Sequence, residues 1–165
     1  MQNKIFLSLG SNIGARIRNL QTAIKFLKAN PKIQVGKLSS IYETSSVGPK
    51  QRDFLNCVLE LQTVLSPEQL LFQLKEIEKK MGRKKTIQDG PRQIDLDLIL
   101  YGGKRLQSPL LTLPHPRFHK RKFVLKPLLE IAPNLKPMGF KKTILQLYRR
   151  LTDPSQKVKL HRKQI

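Results

Sequence analysis

Asp95 and Asp97 are the residues whose types and spacing most directly suggest chemistry. They lie in the stretch Gly90-Pro91-Arg92-Gln93-Ile94-Asp95-Leu96-Asp97-Leu98-Ile99-Leu100-Tyr101. Ile94, Leu96, Leu98 and Leu100 alternate with the other side chains, which is the period of a half-buried strand. Both carboxylates then share the opposite face, with Cα atoms roughly 6.5 Å apart. Carboxylates held this close repel each other unless a cation lies between them, and hard divalent ions such as Mg²⁺ take oxygen ligands of this kind. The same pair would also suit the solvated face of an edge strand. Gly90-Pro91 makes a rigid entry to the strand, and Arg92 offers a planar fork matched to phosphate. Together these residues describe a site for a metal-bound polyphosphate.

The elements that must position this strand are legible on either side of it. Residues 4–9 read as a first strand, ended by Gly10-Ser11-Asn12. Ile17, Leu20, Ala23, Ile24 and Leu27 recur at helical spacing and predict a helix over 14–29, capped or preceded by a turn at Ser11 or Asn12 and stopped by Asn30-Pro31. Residues 33–42 read as a second strand, and a polar loop runs from Thr44 to Arg52. From Phe54 to Thr63 the alternation returns. Leu55, Cys57, Leu59 and Leu61 form its apolar face, and Phe54 and Asn56 fall on the other. Ser66-Pro67-Glu68-Gln69 is a capping-box helix start, and Leu70, Leu74, Ile77 and Met81 line one side before Gly82 ends the helix. Glu78, in the last turn, opposes the helix dipole, which hints at a cationic partner. Residues 123–131 read as a short buried helix despite Pro127, and residues 143–151 as a basic amphipathic one.

Strand, helix, strand, strand, helix, strand is the split βαβ pattern of an α+β, ferredoxin-like βαββαβ sandwich. Both main helices are expected on one sheet face, with C-terminal additions beyond. Phe54, Asn56, Asp95 and Asp97 are expected on the other face.

The chain has 165 residues and reads as a single domain over 1–151, followed by a mobile basic tail over 152–165. No apolar run approaches the ~20 residues of a membrane helix, and the first residues lack the pattern of a signal peptide. The single Cys57 excludes an internal disulfide and suits a reducing compartment. A cytoplasmic protein without membrane partners is the expectation. The net charge of +21 predicts affinity for polyanions. Eight Lys or Arg residues fall between Lys141 and the C-terminus, so weak nucleic-acid binding through the tail is expected as a side property.

With these residues assembled, the chain resembles the 6-hydroxymethyl-7,8-dihydropterin pyrophosphokinase family of folate biosynthesis. The resemblance runs from Ile5 to about Pro133. It rests on the order and spacing of several blocks: Leu9-Gly10-Ser11-Asn12, Ile41-Tyr42-Glu43-Thr44 with Gly48-Pro49, Phe54-Leu55-Asn56, Ile77-Glu78 with Gly82-Arg83, Gly90-Pro91-Arg92 with Asp95-Leu96-Asp97, and Pro114-His115-Pro116 with Arg121-Lys122-Phe123. The activity implied is transfer of pyrophosphate from ATP to the pterin hydroxymethyl group, releasing AMP. By the same resemblance, Asp95 and Asp97 hold two Mg²⁺ ions. Arg83, Arg92, Asp95 and Asp97 form the catalytic set. Glu78, Lys85, Arg92, Thr112, His115 and Arg121 meet ATP, with Arg83 and Lys85 on a loop that closes over the site. Thr44, Ser45, Val47, Phe54, Asn56, Asp95 and Phe123 meet the pterin, whose ring would stack between Phe54 and Phe123. Some members carry a Trp where Asp89 stands and a basic residue where Gln88 stands, so the contribution of that loop differs here.

The alternative is a basic ferredoxin-like RNA-binding module. It lacks the aromatic residues such a module displays on its central strands, and its sheet face carries two carboxylates that repel phosphate without a metal.

Overall fold

A computed structural model describes residues 3–46, 48–82 and 90–165. Its centre is β1 (Ile5–Ser11), every residue of which is buried. The chain continues through α1 (Arg16–Ala29), β2 (Ile33–Leu38), β3 (Ile41–Thr44), β4 (Phe54–Thr63), α2 (Pro67–Lys80) and β5 (Asp95–Tyr101). A small hairpin follows, β6 (Leu106–Gln107) with β7 (Thr112–Leu113). The chain then forms α3 (Lys122–Ile131), α4 (Ile144–Arg150) and β8 (Val158–Arg162). The main sheet runs β5-β1-β4-β3-β8, with β2 also paired to β4, and its pairings are antiparallel. With β2 and β3 taken as one bent strand, this is the ferredoxin-like order expected from the sequence.

The period-two pattern decides what each sheet face carries. Leu7, Leu9, Leu55, Cys57, Leu59 and Leu61 meet Leu20, Ala23 and Leu27 of α1 and Leu70, Leu74 and Ile77 of α2 in one core. Burial pushes the Cys57 thiol up to about 12, as suits a core cysteine. The capping box of α2 is present: Ser66 Oγ accepts the Gln69 N–H at 3.1 Å, and Gln69 Oε1 accepts the Ser66 N–H at 2.9 Å. Gly82, at φ +79°, ends the helix in the left-handed region.

The opposite face is divided. Phe6, Val58, Ile99 and Leu100 are covered by Val124, Leu125 and Leu128 of α3 and Ile144 of α4 in a second core. The remainder of that face stays open and forms the site described below. The two main helices share one face as expected, and the C-terminal helices occupy part of the other.

Three local expectations are corrected. The helix expected from residue 14 begins at Arg16, and its N-cap residue Ala15 has no side-chain cap; Asn12 is used elsewhere. The single strand expected over 33–42 divides at Ser39 and Ser40. Ser39 exchanges hydrogen bonds with the Val58 backbone, donating its N–H to the carbonyl at 3.0 Å and accepting the Val58 N–H on Oγ at 2.9 Å. Ser40 donates both its N–H and its hydroxyl to Glu130 on α3. The third correction concerns the tail. Instead of a mobile segment, residues 158–162 form β8, paired with β3 through Thr44↔Val158 and Tyr42↔Leu160. Without β8, the N–H and C=O groups on that side of β3 would lack strand partners. Lys159 does not oppose the pairing, because it stands in solvent on the outermost strand.

Among the described residues no helix is long and apolar enough to cross a membrane.

Candidate active site

The open part of the second face is built row by row from strand register. Asp95 of β5, Gly10 of β1 and Asn56 of β4 lie opposite one another across three strands. One row further along, Asp97 lies opposite Ser8, which lies opposite Val58. Opposed residues on antiparallel strands send their side chains to one face. The hollow therefore sits where Gly10 contributes no side chain between two polar ones. A Cβ on Gly10 would stand 2.6 Å from Asn56 Oδ1, so glycine is the residue this floor accepts. Asn56 is buried, and its Nδ2 donates to Thr44 Oγ1 at 2.6 Å, which fixes the amide orientation.

The cavity above this floor is lined by Asp95, Asp97, Arg92, Arg117 and Arg121, and by Thr44, Ser45, Phe54, Asn56 and Phe123, with Ser8, Gly10 and Gly90 beneath. Phe54 enters from the start of β4 and Phe123 from the first turn of α3. The Arg121 guanidinium lies 5.5 Å from the centre of the Phe123 ring, a cation–π distance that steadies both side chains.

Asn12 anchors the loops at the rim. Its Oδ1 accepts the Arg92 N–H at 2.7 Å and its N–H donates to the Arg92 carbonyl at 2.9 Å. Its Nδ2 donates to Gln51 Oε1 at 2.8 Å and to the Arg52 carbonyl at 3.0 Å. One side chain thus joins the end of β1 to the segments that lead into β4 and β5.

Thr112 and His115 line a neighbouring cavity with Arg105 and His119. His115 Nδ1 accepts the Arg117 N–H at 3.0 Å, so the peptide that presents Arg117 to the first cavity also orients the imidazole. Burial pushes the His115 pKa down to about 4, and the nearby Arg121 and Arg117 charges add to the effect against the opposing pull of Asp95. The ring is neutral at pH 7. Glu78 is buried on α2 and paired with Lys75 at 3.1 Å, and it does not line either cavity. Val47, Arg83 and Lys85 lie outside the described residues.

Sequence reasoning did not single out Arg117 as a site residue. It lies in a run of prolines and basic residues with no periodicity to mark a direction. Ser8 and Gly10 were also passed over, although they alternate with Leu7 and Leu9 just as Asp95 and Asp97 alternate with Leu96 and Leu98.

Two carboxylates two residues apart, facing three guanidinium groups, fit Mg²⁺ with a polyphosphate. That ion keeps several waters and takes phosphate oxygens in place of further protein ligands.

The sequence model of the 7,8-dihydro-6-hydroxymethylpterin-pyrophosphokinase (HPPK) family matches residues 6–133. The 2-amino-4-hydroxy-6-hydroxymethyldihydropteridine pyrophosphokinase of Aquifex aeolicus is 42% identical over 79% of this chain and 81% of its own length. The Synechocystis protein of the same description is 45% identical over 86% of this chain and 72% of its own. The folic acid synthesis protein fol1 of Pneumocystis carinii is 48% identical over 79% of this chain, which spans only 18% of that longer protein. A crystal structure of Plasmodium falciparum HPPK-DHPS superposes with a TM-score of 0.72 at 14% identity, over 95% of this chain and 49% of that one. At that identity the likeness speaks for the fold.

Proposed function

Since the chain belongs to the 7,8-dihydro-6-hydroxymethylpterin-pyrophosphokinase family, we propose that it transfers pyrophosphate from ATP to the hydroxymethyl group of 6-hydroxymethyl-7,8-dihydropterin. The product AMP is released. In this reaction the substrate hydroxyl oxygen bonds to the β-phosphorus of ATP. The bond from that phosphorus to the oxygen bridging it to the α-phosphate breaks, and the hydroxyl proton is lost.

The observation that carries this reading is the meeting of two unlike sets of residues in one cavity. Asp95, Asp97, Arg92, Arg117 and Arg121 suit a polyphosphate with its cations. Phe54, Asn56 and Phe123 suit a flat heterocycle with a polar edge. Asp95 and Asp97 would hold two Mg²⁺ ions. Bound there, such ions neutralise phosphate charge and lower the pKa of the attacking hydroxyl. The guanidinium groups would neutralise charge developing on the transferred group; Asn12 holds the Arg92 backbone, His115 that of Arg117, and the Phe123 ring lies against the Arg121 guanidinium. Phe54 and Phe123 would stack on the two faces of the pterin, and Asn56, oriented by Thr44, would bond its edge. Thr44, Ser45 and Val47 would contribute further contacts to that edge.

Thr112 and His115 would receive the nucleoside part of ATP in the adjoining cavity. A neutral His115 suits that role, since an imidazolium would add to a site already rich in guanidinium groups. Lys85 would lie toward the nucleotide, and Arg83 would join the phosphate-binding arginines. No observation favours the RNA-binding alternative or nucleic-acid binding by the C-terminal segment.

The test is AMP release from ATP and Mg²⁺, with and without the pterin, by wild type and by Asp97→Ala. Pterin-dependent AMP that falls on the order of 10²-fold or more in the variant is the expected result. Folded wild-type protein that releases no pterin-dependent AMP would overturn the reading.

A further inference from the structure

Two walls of the cavity come from elements that Glu130 joins at the far end of α3, through Ser40 and Tyr42. One is the end of β3, Thr44 and Ser45. The other is the start of α3, Arg121 to Phe123. The five residues before β8 join them. On the first side, Ser45 donates its N–H to the Lys157 carbonyl at 3.0 Å. Its hydroxyl accepts the Lys157 N–H at 3.0 Å and donates to the Ser155 carbonyl at 3.2 Å. On the second side, Gln156 Oε1 accepts the Lys122 N–H at 2.8 Å, and Gln156 Nε2 donates to the Lys120 carbonyl at 3.0 Å. Lys122 Nζ donates to the Asp153 carbonyl at 2.9 Å. Asp153 also shapes the segment itself, accepting from the Ser155 hydroxyl at 2.7 Å and from Gln156 Nε2 at 3.2 Å.

The contact at Lys122 has a clear local reason. Lys122 is the first residue of α3, and the N-cap residue before it is Arg121, whose side chain has no acceptor. A helix start needs acceptors for its first N–H groups. Gln156 supplies one from the far end of the chain. The residue it caps stands between Arg121 and Phe123, both of which line the cavity.

We infer that residues 153–157 form a strap that sets the distance between the two walls, with Gln156 as a positioning residue for Phe123. The strap lies beyond residues 6–133, the part of the chain that the family's sequence model matches. The inference rests on the reading of this cavity as the pterin site. Gln156 does not line the cavity; it acts through the first turn of α3. Its effect should fall on recognition of the flat ring that Phe123 covers, more than on ATP or on the chemical step.

The experiment compares wild type, Gln156→Ala and Gln156→Glu. The glutamate keeps an acceptor for the Lys122 N–H, loses the donor to Lys120 and Asp153, and sets a second carboxylate beside Asp153. For each, KM for the pterin, KM for ATP and kcat are measured, with the urea unfolding midpoint and amide exchange at Lys122. In Gln156→Ala the pterin KM should rise about tenfold, with kcat and the ATP KM within about twofold of wild type. Exchange at Lys122 should quicken, and Gln156→Glu, which restores only the acceptor, should recover part of both effects. An unchanged pterin KM in an active Gln156→Ala protein would overturn the inference. So would an equal loss in all three kinetic parameters that merely tracks a lowered unfolding midpoint. If wild type itself shows no pterin-dependent AMP release, the functional reading fails separately. The strap then stands or falls on whether Lys122 exchange quickens in Gln156→Ala.

Discussion

At the scale of single residues, the site depends as much on an absent side chain as on those present. Gly10 leaves the space between Asp95 and Asn56 that a methyl group would fill. Gly10→Ala should push the Asn56 amide away from Thr44 and lower stability by about 1–3 kcal/mol, as overpacking does. It should also weaken pterin binding, and calorimetric titration beside an unfolding curve checks both. His115 gives a second residue-scale expectation. Its pKa is about 6.5 in the unfolded chain and is lowered to about 4 in the fold. The unfolded state therefore binds more protons between those values. The stability contributed by the neutral imidazole is whole above pH 6.5 and is lost as pH falls toward 4. His115→Asn, whose Oδ1 can accept the Arg117 N–H, should lose less stability than wild type over that window. Urea midpoints from pH 7 to pH 4 measure the difference; parallel curves would sink the idea. Asp95, Asp97, Phe54 and Asn56 were legible because strand alternation fixes a direction for each side chain. Arg117 was not, because an irregular segment carries no such direction. His115 gained its candidacy only from the family resemblance, since a histidine between prolines has no pattern of its own.

At the scale of elements, the clearest signals were local. Ser66, Pro67 and Gln69 announce α2 within four residues, and the structure closes the reciprocal hydrogen bonds they encode. Ser66→Ala should lower stability by about 1 kcal/mol and leave the ATP and pterin constants unchanged, because α2 packs on the face away from the cavity. Thermal unfolding and steady-state kinetics together check this. What escaped the sequence reading was decided by distant partners. The break between β2 and β3 depends on Glu130, which lies 90 residues from Ser40. The place of β8 depends on an edge left open by β3. Val158 and Leu160 alternate, but amid so many lysines the alternation resembles that of a solvated tail. The split of the second sheet face between core and cavity has a similar origin. The apolar run of α3 indicated a buried helix without saying which part of the sheet it would cover.

At the scale of the whole molecule, one sheet serves two purposes. Its helix-covered face is continuous core, and the same strands carry the polar floor on the other side, so the floor inherits the rigidity of the packing beneath it. Three arginines line the cavity of a chain whose net charge is +21, which should speed the encounter of anionic substrates at low salt. The hydrogen bonds of Asn12 carry a consequence for how the molecule is made. They join the end of β1 to residues 39, 40 and 80 positions further along the chain. Contacts of such high sequence separation close late in folding, after the entropy of the intervening loops has been overcome. The rim of the cavity is therefore expected among the last parts to form. In refolding from urea, capacity to bind pterin should return no earlier than the slowest phase of sheet formation. A folding intermediate with much of its secondary structure would still lack a working site.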